Sequence, residues 1–362
     1  MSAISSLRKE DEQVKITLVD PKAYSELLWA AFRTPFDEEL AKGTIIRLEK
    51  FCATHQVEFV QATVTKLTQT SCQAKLLASG KTQTIDFDVC VLATGASAPW
   101  QGLGRDLPTR PDAATAEYRL AALKKEGQRL SSAKSVVIVG GGMIGCELAG
   151  DLVEASKEAK VTLVHSSSYL CHSSISEGAA DRMKNLLEDK GVTVILNEKA
   201  TQNGKQVTLK NSGKVIDAEL VVMTTGFSPL NSFVGEAFPD ALDERGWIRT
   251  DPKLVVPGTD GKIFAFGDCS SALPTAGNVY FQNAPVLGHN VTVALTGADV
   301  PMKEVSVPFL VSVTTVGKDS GVAQIGTPFW TVRFLPWLKN STMFLMTLSR
   351  FGATSEHTLA NE

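Results

Sequence analysis

The sequence predicts an α/β protein made of two similar parallel-sheet modules, each with its own β-meander, followed by a small α+β segment. Three observations carry that prediction. Val136-Val-Ile-Val139 reads as a buried strand and runs directly into Gly140-Gly-Gly142-Met-Ile-Gly145, three glycines at G-x-G-x-x-G spacing. A second strand ending in an acid, Val14–Asp20, stands near the start of the chain. The segment Ile85–Pro99, with Ala93-Thr94-Gly95, recurs as Ile216–Pro229, with Thr224-Thr225-Gly226.

The glycine turn is the strongest single motif. Gly140, Gly142 and Gly145 let the backbone turn tightly and approach a pyrophosphate at the positive end of the following helix. Glu147 and Gly150 lie in that helix, and Val161–Val164 supplies the next strand. In this strand–turn–helix–strand context the pattern reads as a Rossmann-like dinucleotide site. The competing reading is a glycine-rich turn in an ordinary α/β domain.

Composition bounds the rest. The chain of 362 residues is 43% hydrophobic and 21% charged, ordinary for a globular protein and long enough for two or three domains. A formal charge of −3 offers no basic surface for nucleic acid. Its 6 cysteines are scattered without a C-x-x-C, which argues against a zinc site, a disulfide scaffold or a redox dithiol. No metal site is expected. The first residues show no signal-peptide core, and no apolar run is long enough to span a membrane.

In chain order, Met1–Lys9 reads as a helix. When Val14–Asp20 is set against Ala159–His165, Met1 falls on Cys146, just past the third glycine. The expectation is a first nucleotide unit entered inside its helix, its strand and glycine loop lying upstream; the alternative is a helix that never had a phosphate loop. Val57–Thr84 and Val192–Val215 suit small meanders, with Ser79-Gly-Lys and Ser212-Gly-Lys as hairpin turns. From Gly246 the chain returns to strand material ending in Gly267-Asp268, and Ala284–Ala298 reads as a helix. The tail holds Val305–Val316 as strand, an aromatic stretch from Pro328 to Trp337, and Met343–Phe351.

Asp20, Ala93–Gly95, Gly140–Gly145 with Glu147, Thr225-Gly226 and Gly267-Asp268 appear in an order that resembles the two-dinucleotide-binding-domain flavoproteins. Val19–Tyr24, Leu163–Ser166 and the Val311–Gly326 tail resemble the apoptosis-inducing-factor-like branch, which includes ferroptosis suppressor proteins and lies near type II NADH dehydrogenases. The resemblance implies FAD across residues 1–110 and 246–300, NAD(P)H in residues 111–245, and a C-terminal segment at 301–362. It implies that Asp20 holds the FAD adenosine ribose, that Arg33 lies near the cofactor, and that Val64 meets adenine through its backbone. Ala93, Thr94 and Gly95 would approach FAD, Gly267 and Asp268 would meet the ribityl chain, and Tyr280–Pro285 would line the ring. Relatives often carry a lysine in that last region; none is visible there. Glu147 would sit near the nicotinamide, and Gly226 would meet a cofactor. His165 replaces the acid that usually selects NAD, which leaves NADH or NADPH open.

The chemistry then belongs to the cofactors. Without a cysteine pair to relay electrons, a quinone or another small diffusible acceptor is favoured by elimination and by resemblance. No side chain is assigned as a catalytic acid, base or nucleophile. Phe329, Trp330, Phe334, Leu335, Trp337 and Leu338, with Arg333 and Lys339, suit a membrane interface as well as a C-terminal domain core or a homodimer contact. A cytoplasmic or membrane-peripheral protein is expected. The alternative function is an FAD-poor NAD(P)-binding or interaction protein without redox turnover.

Overall fold

A computed structural model describes residues 1–171, 175–271, 283–306, 311–326, 329–330, 339, 348–349 and 352–361. The chain opens with the helix Ser2–Glu10 and the strand Ile16–Val19, which pairs in parallel with Val57–Val60. Val57–Val60 therefore belongs to the parallel layer, and the meander proper is Ala62–Leu67, Ser71–Leu76 and Thr82–Asp86. A strand's partner is set by tertiary pairing, which local composition does not report. The strand Cys90–Leu92 follows and lies parallel to Ile263–Ala265. Among the described residues no strand joins these two parallel pairs. The helix Ala284–Thr296 returns from the far side of the chain to pack on Ser2–Glu10, where Gly288 lies so close to Ser6 that a Cβ would sit 2.9 Å from its carbonyl carbon.

The second module is a single four-stranded parallel sheet. Ser135–Val139 lies between Lys160–Val164 and Leu220–Met223, and Thr193–Ile195 forms the outer strand beside Lys160–Val164. Ser135–Val139 is flanked on both edges and covered on both faces. Its run of four β-branched residues reflects that, and Val136 to Val139 are all buried. The helix Met143–Ala155 follows the glycine turn. Thr193–Ile195 belongs to the sheet, leaving Ala200–Asn203, Gln206–Leu209 and Val215–Asp217 as the meander.

The two modules meet across a short ribbon. Ala96–Ser97, just past the first glycine turn, pairs antiparallel with Ser228–Pro229, just past the second. Ser97 lies opposite Ser228, and these are equivalent positions of the internal repeat, so a local pseudo-twofold axis passes between them. The carboxyl-terminal hairpin Val311–Val316 and Ser320–Ile325, with Phe329–Trp330 as a third strand, packs on the helices Met143–Ala155 and Glu177–Asp189. Phe32 of the first module and Val316 and Val322 of the hairpin join the second module's core. The remaining aromatics of the tail and Tyr280 lie outside the described residues. No helix among the described residues is long and apolar enough to cross a membrane.

Candidate nucleotide sites

Parallel strands place their ligands outside their carboxyl ends. In the second module Gly140, His165 and Thr224 stand at those ends. Gly140 adopts φ +117° and lies against Thr224, whose hydroxyl donates to the Gly140 carbonyl at 2.8 Å. Gly145 is packed more tightly still, since a Cβ there would sit 1.9 Å from the Gly140 carbonyl oxygen. Gly142 differs from both. It has an ordinary extended φ of −75°, begins the helix, and a Cβ on it would meet nothing within 4 Å. Two glycines thus build the turn and the middle one leaves room for a ligand at the helix start.

His165 does not stand as a free substitute for the usual acid. Its Nδ1 accepts the Gly141 N–H at 3.1 Å, which ties the ring to the glycine turn. The nearby acid, Glu198, accepts from the Asn211 and Ser212 N–H groups instead.

Beside Gly142 a half-open cavity of about 190 Å³ runs between the modules. Met143, Ile144, Met223 and Phe227 line it from the second module, and Ala98, Pro99 and Leu103 from the first. Its walls are mainly apolar, suited to a flat ring. Gly226, at φ +100°, leaves open space at its mouth.

Around the first module, Ala93 and Thr94 are exposed, and the Thr94 hydroxyl donates to Asn231 Oδ1 at 2.9 Å. Gly95 and Gly267, both at positive φ, open onto empty space. Asp20 is half-buried at the end of its strand, and burial pushes its carboxyl above the ordinary range. Asp268 keeps its side chain 37% exposed and accepts from Arg105 at 2.6 Å. Asn283 begins the helix Ala284–Thr296 with both amide atoms buried and without a partner. A buried primary amide with nothing to bond is costly, so this position fits a ligand bearing complementary polar atoms. The open glycines, the two acids and the orphan amide fit a flavin dinucleotide in the first module. The open Gly142 and the apolar cleft fit a nicotinamide dinucleotide in the second.

Three predicted residues also have protein partners. Val64 packs in the core beneath the meander. Arg33 is buried and bonded to the second module: its guanidinium meets Asp151 at 2.8 to 3.2 Å and the Gly317 carbonyl at 2.8 Å. Glu147 is buried rather than on a helix surface. It accepts from Lys339 Nζ at 2.6 Å and from the Thr315 N–H at 3.0 Å. Glu147 and Glu154 thus hold the carboxyl-terminal hairpin from the helix, Glu154 accepting from the Lys318 N–H at 2.8 Å, and Asp151 reaches it through Arg33. Gly150 permits this approach, because a Cβ there would lie 2.6 Å from the Gly317 nitrogen. The placement of Lys339 beside Arg333 at a membrane interface is corrected: Lys339 is buried against Glu147 and the Val313 carbonyl, a partner 192 residues away that no local pattern reports.

The fold brings two of the scattered cysteines together. Cys146 and Cys171 bring their sulfurs to 3.8 Å. Both are buried away from the cleft, and the bond with Cys171 together with burial holds the Cys146 thiol well above its ordinary value.

Comparison with known proteins identifies the family and the fold. The family model described as pyridine nucleotide-disulphide oxidoreductase matches residues 1–290. Ferroptosis suppressor protein 1 from Xenopus tropicalis is 28% identical over 344 residues, covering 92% of this chain and 88% of that protein. Apoptosis-inducing factor homolog B from Dictyostelium discoideum is 24% identical, covering 92% and 90%. The sulfide:quinone oxidoreductase of Aquifex aeolicus shares the fold, with a TM-score of 0.73 at 17% identity over 97% of this chain and 89% of that one.

Proposed function

The chain belongs to the pyridine nucleotide-disulphide oxidoreductase family, with FAD and NAD(P)H as its cofactors, and from that premise we propose that it oxidises NAD(P)H and delivers the electrons to a quinone-type acceptor. The observation that carries the reading is the apolar cleft between Gly142 and Ala98–Leu103, which connects the second nucleotide site to the first module. Held by Asp20, Gly95, Gly267 and Asp268, a bound flavin would supply the hydride-accepting and electron-transferring chemistry.

The chain's own residues bind, orient and exclude water. Gly140 and Gly145 shape the turn, and Gly142 leaves the helix start clear for a pyrophosphate. Met143, Ile144, Met223 and Phe227 wall the cleft and keep it apolar. Asp20 and Asp268 offer carboxylates to the sugar hydroxyls of the first nucleotide. A disulfide acceptor is disfavoured because Cys146 and Cys171 lie buried behind the turn. An apolar wall suits a flat, lipid-soluble ring instead.

The test is an absorption spectrum of the purified protein, titrated with NADH and NADPH and then with a short-chain quinone. The reading expects a flavin band that bleaches with one or both nucleotides and returns with the quinone. A bleached band that the quinone leaves unchanged overturns the acceptor. A colourless protein that still binds NAD(P)H supports the alternative of a binding protein without redox turnover.

A further inference from the structure

FAD is a chain of parts in fixed order: adenosine, pyrophosphate, ribityl and ring. On the proposed reading Asp20 takes the adenosine ribose and Asp268 the ribityl chain, so the pyrophosphate spans the interval between those two acids. That interval contains two cations. Lys22, two residues past Asp20, donates from Nζ to the Gly104 carbonyl. Arg105, the next residue, donates to Asp268 Oδ2 at 2.6 Å and to the Ala96 carbonyl at 3.2 Å. A continuous path, Asp20–Lys22–Gly104–Arg105–Asp268, therefore crosses from one acid to the other.

Arg105 is not satisfied by these partners. Its side chain is only 10% exposed and its Nε is buried with no acceptor. A guanidinium carries five donors, of which these two bonds occupy two. Its plane is fixed by the Phe227 ring, with the guanidinium carbon 4.6 Å from the ring centroid. Arg119, the other arginine nearby, is already committed to Glu26 at 2.7 and 3.0 Å and to the Gly102 carbonyl at 2.7 Å. Burial lowers the Lys22 ammonium, and Arg119 and Arg105 push the same way against Asp20 and Glu26. An arriving dianion would supply an acceptor to Nε and relieve the repulsion between these cations.

We propose that Arg105, with Lys22, forms a phosphate-binding pair for the pyrophosphate of the flavin nucleotide. The inference rests on the reading that the first module holds FAD. The fork of Arg105 suits two phosphate oxygens, and Lys22 adds a compact point charge beside it.

The experiment is an equilibrium titration of flavin-stripped protein with FAD, followed by fluorescence quenching from about 0.05 to about 0.5 M salt. Wild-type affinity should fall with salt. Arg105→Gln should bind FAD on the order of tenfold more weakly at low salt and respond less to salt, while Arg105→Lys keeps most of both. Lys22→Gln should show a smaller loss of the same kind. Thermal unfolding of each variant checks the fold. An Arg105→Gln protein within twofold of wild type overturns the pair. So does a loss that is equal at every salt concentration and equally large in Arg105→Lys, which would mark a positioning residue for Phe227 and Asp268. A wild-type chain that takes up no FAD at any salt overturns the cofactor reading, and this pair with it.

Discussion

The two modules bring different charges to the ends of their strands, although their sequences repeat the same motifs. In the second, the positive potential comes from backbone N–H groups at the start of Met143–Ala155, with Gly142 left open and no arginine or lysine among the cavity's lining residues. The first places side-chain cations, Lys22 and Arg105, between the two acids of its crevice. A backbone site carries only partial charges and a side-chain site carries full ones, so salt weakens the second more than the first. One fold thereby offers two sites with different electrostatic signatures.

Breaking the second module's frame should give the largest effect. Lys339→Met leaves Glu147 buried without its cation and should cost about 3–5 kcal/mol in unfolding free energy. Glu147→Gln should cost less, because an amide oxygen still accepts from Thr315. Losses below about 1 kcal/mol in both variants, measured by denaturant unfolding, would show that the pair is not what anchors the hairpin.

The turn itself is next. Gly145→Ala drives a Cβ into the Gly140 carbonyl, and we expect about 2–3 kcal/mol of destabilisation together with lost NAD(P)H binding. Gly142→Ala sharpens the contrast. Its Cβ meets open space, so the melting temperature should stay near wild type while NAD(P)H affinity drops on the order of tenfold. A stable Gly142→Ala protein with unchanged affinity would remove the pyrophosphate from that position.

Acid–base behaviour offers a further test of the second module's frame. Burial raises the Asp151 carboxyl to about 7 despite Arg33 beside it. Its folded value thus exceeds the unfolded one, so the native state binds the extra proton between about pH 4 and 7. Stability should therefore fall as pH rises through that window, by up to about 1.4 kcal/mol per unit, and level off above it. Asp151→Asn should flatten that slope in denaturant titrations across pH; an unchanged slope assigns it to another group. The smallest effect is the direct comparison of sites. Raising salt should weaken FAD binding more than NAD(P)H binding, and the reverse order would contradict the division between side-chain and backbone recognition.

What was legible in the sequence follows from how locally each feature is specified. The glycine turn, its helix and the repeat of Ala93–Gly95 in Thr224–Gly226 depend on neighbouring residues, and each appears where its pattern places it. Val57–Val60 reads as meander from composition because its partner, Ile16–Val19, lies across the chain. Glu147 shows the same limit, since Lys339 is 192 residues away and embedded in an apolar tail. Arg105 belongs to no motif at all. Its significance comes from Asp268 and Phe227, which only the closed crevice brings to it.

The ribbon of Ala96–Ser97 with Ser228–Pro229 makes the molecule self-gauging. Equivalent residues of the two copies are hydrogen-bonded neighbours, so the span between the sites is set by main chain counted outward from one shared point. Lengthening either glycine turn by a residue would shift one copy out of phase with the other and turn each ribbon side chain to the opposite face. The spacing of the two glycine turns is thus written into the repeat itself, and drift in one half has to be matched in the other.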